Sequence, residues 1–402
     1  MYKQICSSTA VAVLLSHSIL AAAADSGNAE SAFNPAFSLI LSGTYGSLQR
    51  DPAVPTTGFA MNPNPGHEQG FNLGESEIGI SANIDPEYRG VATFALDPAG
   101  GISVENAFVQ TTSLGNGLNL KFGRYFSGLG YLNEQHAHAW DFADQPLVYA
   151  ALWENQLGED GLQLKWLAPT GMFVEFGGEV GKGRGFPGTD RAKNGSGAGV
   201  LFTHLGGDIG IEHSWRAGLS LHKTRRVDAE SVDVPDLNGN LVTNLFSGDS
   251  QTVGMDFVWK YALNGNIRER YLKVQSEYFR RKETGDLTYD TAVTNVTDTY
   301  SVTQSGWYAQ GVYQFIPHWR TGLRYDRLDP GVAQVGALNA GNVFSNYSYN
   351  PTRTSLMLDY SPSEFSRLRV QLAHDKSRQG LADNQFFMQY IMSLGAHGAH
   401  SY

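Results

Sequence analysis

Leu118-Asn119-Leu120-Lys121-Phe122-Gly123-Arg124-Tyr125 reads as a β-strand, with apolar Leu118, Leu120 and Phe122 alternating with polar Asn119 and Lys121. From Gly128 to Trp153 the alternation breaks into a polar and aromatic excursion that carries Glu134, His136, His138, Asp141 and Asp144. Leu162-Gln163-Leu164-Lys165-Trp166 then resumes the alternation. Counted from the N-terminus, the first of these strands is the fifth. The excursion is therefore a long loop set among short strands.

The same rhythm extends to both ends of the chain. Ile78, Ile80, Ala82 and Ile84 share one face of the second strand, opposite Glu75, Glu77, Gly79 and Ser81. In the tenth, Val253, Met255, Phe257, Trp259 and Tyr261 oppose Gly254, Asp256 and Lys260. Tight turns such as Asp85-Pro86-Glu87-Tyr88, Pro169-Thr170-Gly171 and Asn264-Gly265-Asn266 alternate with long polar loops, among them 52–67, 227–250 and 329–349. About 16 strands result. An even count with alternating short turns and long loops predicts an all-β fold, a single closed antiparallel transmembrane β-barrel. A soluble sandwich has no need of that long–short alternation.

Composition agrees. The 402 residues include 46 Gly, 19 Tyr and 21 Phe, with 15 Pro and 1 Cys. A net charge of −10 and the lack of a basic cluster argue against nucleic acid. Residues 1–24 read as a signal peptide: Lys3, a mostly apolar run from Ala10, and small residues Ala22-Ala23-Ala24 before Asp25. Cys6 would leave with it, so the exported chain has no thiol chemistry. Residues 25–35 read as a polar leader and 36–402 as the barrel. After Asp25 no apolar run is long enough for a membrane helix, whereas a barrel needs apolar residues only at alternate positions.

On the strand rhythm, on Phe122-Gly123-Arg124-Tyr125 before the long loop, and on a final strand with Phe386, Met388, Tyr390, Met392 and Leu394 alternating, the chain resembles bacterial outer-membrane porins, most closely the phosphate-selective type. Its Gly395-Ala396-His397-Gly398-Ala399-His400 ending also resembles outer-membrane proteins associated with zinc regulation. Some of those are labelled TonB-dependent receptors, but only about 10 residues precede the first strand, too few for the plug of such large barrels. The resemblance implies several things: a Gram-negative outer-membrane location, a long loop after strand five folded inward to narrow the pore, a homotrimer, and a C-terminal strand read by the barrel-assembly machinery. It also implies a passive diffusion channel for small hydrophilic solutes or ions, anions included.

With the apolar face turned to lipid, the other face lines the lumen. That assigns Lys121, Arg324, Arg353, Arg367 and Arg369 inward, facing a loop with Glu134, Asp141 and Asp144. A basic wall opposite an acidic loop would set a transverse field across the lumen. His136 and His138, with Glu134 and Asp141 nearby, suggest a second reading: an uptake or receptor barrel for a divalent metal such as zinc, because imidazole plus carboxylate suits such ions. His397 with His400, and His67 with Glu68, are sparser candidates. No Gly-x-Ser-x-Gly run, spaced Ser/His/Asp set or phosphate loop is present, so no enzyme chemistry is expected.

Overall fold

The computed structural model describes residues 35–52, 54–62, 67–96, 100–231, 234–343 and 348–395. The expected signal peptide, nearly all of the leader, and the tail with His397, His400 and Tyr402 lie outside the described residues.

Sixteen antiparallel strands form one closed ring. They are β1 (Ala36–Ser47), β2 (Ser76–Asn83), β3 (Tyr88–Leu96), β4 (Ile102–Thr111), β5 (Leu118–Phe126), β6 (Gly158–Leu167), β7 (Phe173–Gly181) and β8 (Ala198–Ile209). The second half is β9 (His213–Glu230), β10 (Leu245–Ala262), β11 (Tyr271–Tyr289), β12 (Val296–Ile316), β13 (Trp319–Asp329), β14 (Thr352–Ser363), β15 (Ser366–Lys376) and β16 (Asp383–Gly395). Each strand pairs with the next. β1 closes the ring by pairing with β2 through Ala36↔Ser81 on one edge and with β16 from Ser38↔Gly395 to Ser47↔Phe386 on the other. Among the described residues the ring is closed, so each of its sixteen strands is paired on both sides.

Side-chain alternation sorts the two faces. Leu219, Leu221, Val253, Met255, Phe257, Leu323, Leu356, Leu358, Leu368, Val370, Leu372 and Met388 point outward and are 40–60% exposed. A belt of large apolar side chains open on this scale suits lipid, not water. Between them, Ser220, His222, Asp256, Glu277, Arg324, Asp326, Arg353, Asp359 and Arg369 point inward and are buried.

The strands β9 to β12 overrun the lengths read from the sequence. Residues 227–250 read as loop, yet β9 runs to Glu230 and β10 begins at Leu245. Similarly, β11 continues to Tyr289 and β12 starts at Val296. The reason lies in their outward positions. Lys223, Arg225, Asp249, Gln251, Arg280 and Lys282 are exposed there, continuing the ladder past the apolar belt. Hydropathy alternation stops where the lipid-facing band stops, while the backbone pairing goes on.

Candidate functional site: the loop inside the barrel and the passage beside it

The segment from Ser127 to Leu157 connects β5 to β6. Its contacts fall on widely separated strands. The N–H of Gly128 donates to Glu179 on β7 (2.9 Å). The N–H groups of Tyr131 and Leu132 donate to Glu277 on β11 (2.9 and 3.1 Å). The N–H of Leu147 donates to Asp326 on β13 (3.0 Å), and that of Ala143 to Gln371 on β15 (2.8 Å). Only a segment within the ring can meet inward side chains of all four strands at once.

Why the loop packs here follows from its residues. Pro146 sits at the N-cap of a short helix, α1 (Leu147–Trp153), a position where the missing N–H of proline costs no helix bond. Leu147, Val148, Tyr149, Leu152 and Trp153 are all buried, packing with Leu129 and Leu132 against Val200 and Phe202 of β8, Phe279 of β11, Tyr308 of β12 and Leu328 of β13. The barrel thus carries an apolar core inside one half of its lumen. Glu277 is the polar centre of that core, accepting from the hydroxyls of Tyr149 (2.8 Å) and Tyr308 (2.6 Å) as well as the two N–H groups. Gly130 passes so close, at φ +69°, that an added Cβ would lie 2.4 Å from a Glu277 oxygen; only glycine fits.

The inward arginines hold the loop. Asp144 pairs with Arg324 and Arg353 (2.8 Å each), and Arg324 also meets Asp326 (2.9 Å). Arg367 donates to the carbonyls of His138 (3.4 Å) and Trp140 (3.1 Å), and Arg369 to that of Trp140 and to Gln389 (2.9 Å). Asp141 pairs with Lys273 and with Arg320 (3.2 Å). Burial alone would raise the Asp144 and Asp141 carboxyls. The guanidinium groups of Arg324 and Arg353 hold the first well below the usual range, and Lys273 and Arg320 do the same for the second. Arg324, Arg353 and Arg369 are each at most 4% exposed. These groups are buried beneath the loop rather than open to the passage. The expected field between wall and loop collapses into contact pairs. Lys121 lies over the rings of Phe108 and Tyr125 (4.6 and 5.4 Å).

On the opposite side, beside β1 to β4, space remains. A cavity of about 700 Å³ is lined by Thr44, Glu75, Ser103, Glu105, His138, Trp140 and Gln389, among others. A second, of about 240 Å³, is lined by Ser38, Glu77, Ser81, Arg89, Thr93, His136 and His138. Ser38, Ser81 and Arg89 lie toward the short-turn ends of β1, β2 and β3, whereas the larger cavity takes in loop residues such as His67 and Arg184. Between the two stands a cluster of carboxylates and imidazoles.

That cluster differs from the one expected. His136 and His138 do come together, with ring centroids 5.7 Å apart. Glu134 and Asp141 do not join them: Glu134 pairs with Lys165 (2.9 Å), and Asp141 is bound across the lumen. Burial would raise the Glu134 carboxyl, but Lys165 and Lys121 hold it at about 2. Glu77 and Glu105 take the vacated role. Nδ1 of His136 lies 2.8 Å from Glu105 and 3.2 Å from Glu77, and Nδ1 of His138 lies 2.8 Å from Glu77. Glu75 completes the set: one ligand atom from each of Glu75, Glu77, Glu105 and His136 lies within 4.8 Å of all the others. Burial opposes a charge on His136, yet its bonds to Glu105 and Glu77 push its pKa up to about 10. Glu75 and Glu77 were legible as inward charges. Glu105 was not, because the register shifts between Thr93 and Phe94 of β3 and breaks the alternation of β4.

No family model matches the chain. An uncharacterized protein of Aquifex aeolicus is 30% identical over 405 residues, covering 93% of this chain and 81% of the relative. Solved structures share the fold at low identity. An in-vitro folded, trimer form of OmpT, an outer membrane protein of Vibrio cholerae, is 12% identical with TM-score 0.53, covering 89% of this chain and 98% of that one. An anion-selective porin from Comamonas acidovorans is 11% identical with TM-score 0.54 over 89% and 98%. OprB of Pseudomonas putida, at high pH, is 14% identical with TM-score 0.52 over 92% and 97%.

Proposed function

The chain belongs to one family with the uncharacterized Aquifex aeolicus protein, and we propose that it is a passive outer-membrane channel for small hydrophilic solutes or ions. The observation that carries this reading is the pair of cavities, about 700 and 240 Å³, on opposite sides of the loop along the β1–β4 wall. A loop fixed to β7, β11, β13, β14 and β15 fills one half of the lumen and leaves water a course through the other. The exposed apolar belt supports a place in lipid, and the likeness to outer-membrane barrels supports the outer membrane of a Gram-negative cell. A homotrimer is proposed with it, on the trimer form known for OmpT.

In a planar bilayer the purified protein is expected to give stepwise ion conductance. Barrels that insert, by protease protection in the same lipid, but leave the membrane electrically silent contradict the channel.

A further inference from the structure

The cluster between the two cavities is built of carboxylates and imidazoles. On the arginine wall the inward carboxylates meet arginine or lysine: Asp141, Asp144, Asp326 and Asp359 all do. Here, among the described residues, the ion-pair partners of Glu77 and Glu105 are imidazoles. The Oε1 atom of Glu75 is buried and has no hydrogen-bond partner. Three carboxylates, Glu75 and Glu77 at the start of β2 and Glu105 on β4 with β3 between them, therefore converge on the loop imidazoles with one oxygen unsatisfied. An unmet buried oxygen costs free energy on the order of 1–3 kcal/mol, more when charged, and a cation would recover it. The cluster also stands where a solute passing from one cavity to the other must meet it, since Glu75, Glu105 and His138 line the larger cavity and Glu77, His136 and His138 the smaller.

We propose that Glu75, Glu77, Glu105 and His136 form a binding site for a divalent first-row transition-metal cation at the narrow point of the passage. Oxygen donors alone would suit magnesium or calcium; an imidazole nitrogen in the set selects for zinc, cobalt or nickel instead. Bonds of about 2.0–2.2 Å to one ion need the four ligand atoms, now within 4.8 Å of one another, to close by roughly an ångström. His136 is a loop residue with the Asn106 amide beside its Nε2 (Nδ2 at 2.9 Å); an ion on Nδ1 leaves the proton on Nε2, which the amide accepts once it turns its oxygen to the ring. Such second partners orient ligating imidazoles. With His136 cationic the carboxylates still leave the cluster net negative, which favours cations over anions in the passage despite the many arginines on the opposite wall. That the ion travels through this point rests on the channel reading; that it binds does not.

The test uses cobalt(II), whose visible absorption reports nitrogen and oxygen ligation, on the full-length barrel in detergent. Titration is expected to give a saturating visible band that zinc displaces and excess magnesium does not. In a Glu77→Gln/Glu105→Gln double variant, shown folded by its heat-dependent gel mobility, affinity is expected to fall at least about tenfold, because even second-shell partners of a metal are worth 10–100-fold. His136→Gln, a single loop substitution that leaves the strands untouched, is expected to alter the band's shape. Wild-type protein that gives no band, or variants with the wild-type titration, overturn the site. Conductance of the wild type, recorded in parallel, separates the two claims. Steps without cobalt binding sink the metal site and keep the channel; binding without steps does the reverse.

Discussion

Asp144→Ala is expected to destabilise the folded barrel by about 3–5 kcal/mol and to raise its single-channel conductance. The first effect follows from burial. The Asp144 side chain is fully buried and is met by Arg324 and Arg353 at 2.8 Å each. Removing it leaves two guanidinium groups in the interior without that partner, and breaking a buried pair from one side costs on the order of 3–5 kcal/mol. The second effect follows from position. Asp144 is also reached by Nε2 of Gln371 (2.7 Å), so one side chain links β13, β14 and β15 to the loop just ahead of α1. Without it the loop samples more of the passage and the open-channel noise grows. Asp144→Asn keeps the shape and the Gln371 contact and is expected to fall between the two. The check is the temperature at which the detergent-solubilised barrel loses its folded gel mobility, measured beside bilayer recordings. Unchanged values in both would mean that the pair is not what holds the loop.

Neutralising the cluster with Glu75→Gln, Glu77→Gln and Glu105→Gln is expected to move the reversal potential in a salt gradient from the cation toward the anion side. At roughly 5 Å in a water-like dielectric each carboxylate favours a passing cation by about 0.8 kcal/mol. Burial and the neighbouring Glu105 favour the protonated form of Glu75, and His136 is cationic, so the set loses about one net negative charge, about 0.8 kcal/mol or a factor of about four in relative permeability before screening. Salt at about 0.15 M screens on a scale of about 8 Å, so the shift is expected to shrink as salt rises. The arginine wall offers the contrast. Changing Arg324, Arg353, Arg367 or Arg369 to Glu sets a carboxylate beside Asp144 or in place of a donor to the Trp140 carbonyl. Those variants report loop release before they report selectivity. A reversal potential that ignores the glutamates and follows the arginines alone would place the passage on the other wall.

Strand faces were legible because the apolar belt imposes a period of two, and inward charges such as Lys121, Glu77, Arg324 and Asp359 fall on the other parity. Strand lengths were not, because Lys223, Arg225 and Gln251 continue β9 and β10 on an outward face that no longer meets lipid. The loop's polar residues stood out, but its fold did not. Pro146 followed by Leu147-Val148-Tyr149-Ala150-Ala151-Leu152-Trp153 carries the signal of a buried helix, which a reading tuned to strands passes over. The pairing of the histidines failed for a different reason. Nearness in sequence suggested Glu134 and Asp141 as their companions, yet the loop turns those carboxylates toward Lys165 and Lys273. The partners that do arrive, Glu77 and Glu105, lie 59 and 31 positions before His136 and are brought by strand pairing alone. Contacts between a loop and a distant strand leave no local pattern to read.

The central claim is that solutes pass beside β1–β4 and not beneath the arginines. Thiol accessibility tests it most directly, since Cys6 is the sole cysteine of the 402 residues and can be replaced. Single cysteines at Thr44, which lines the larger cavity, and at Ser81, which lines the smaller, are compared with one at Ser355 on β14, which is 0% exposed. During bilayer recording a charged, water-soluble thiol reagent is expected to reduce conductance through the Thr44→Cys and Ser81→Cys channels and to leave Ser355→Cys unchanged. Block at Ser355→Cys with no effect at the other two would contradict the account.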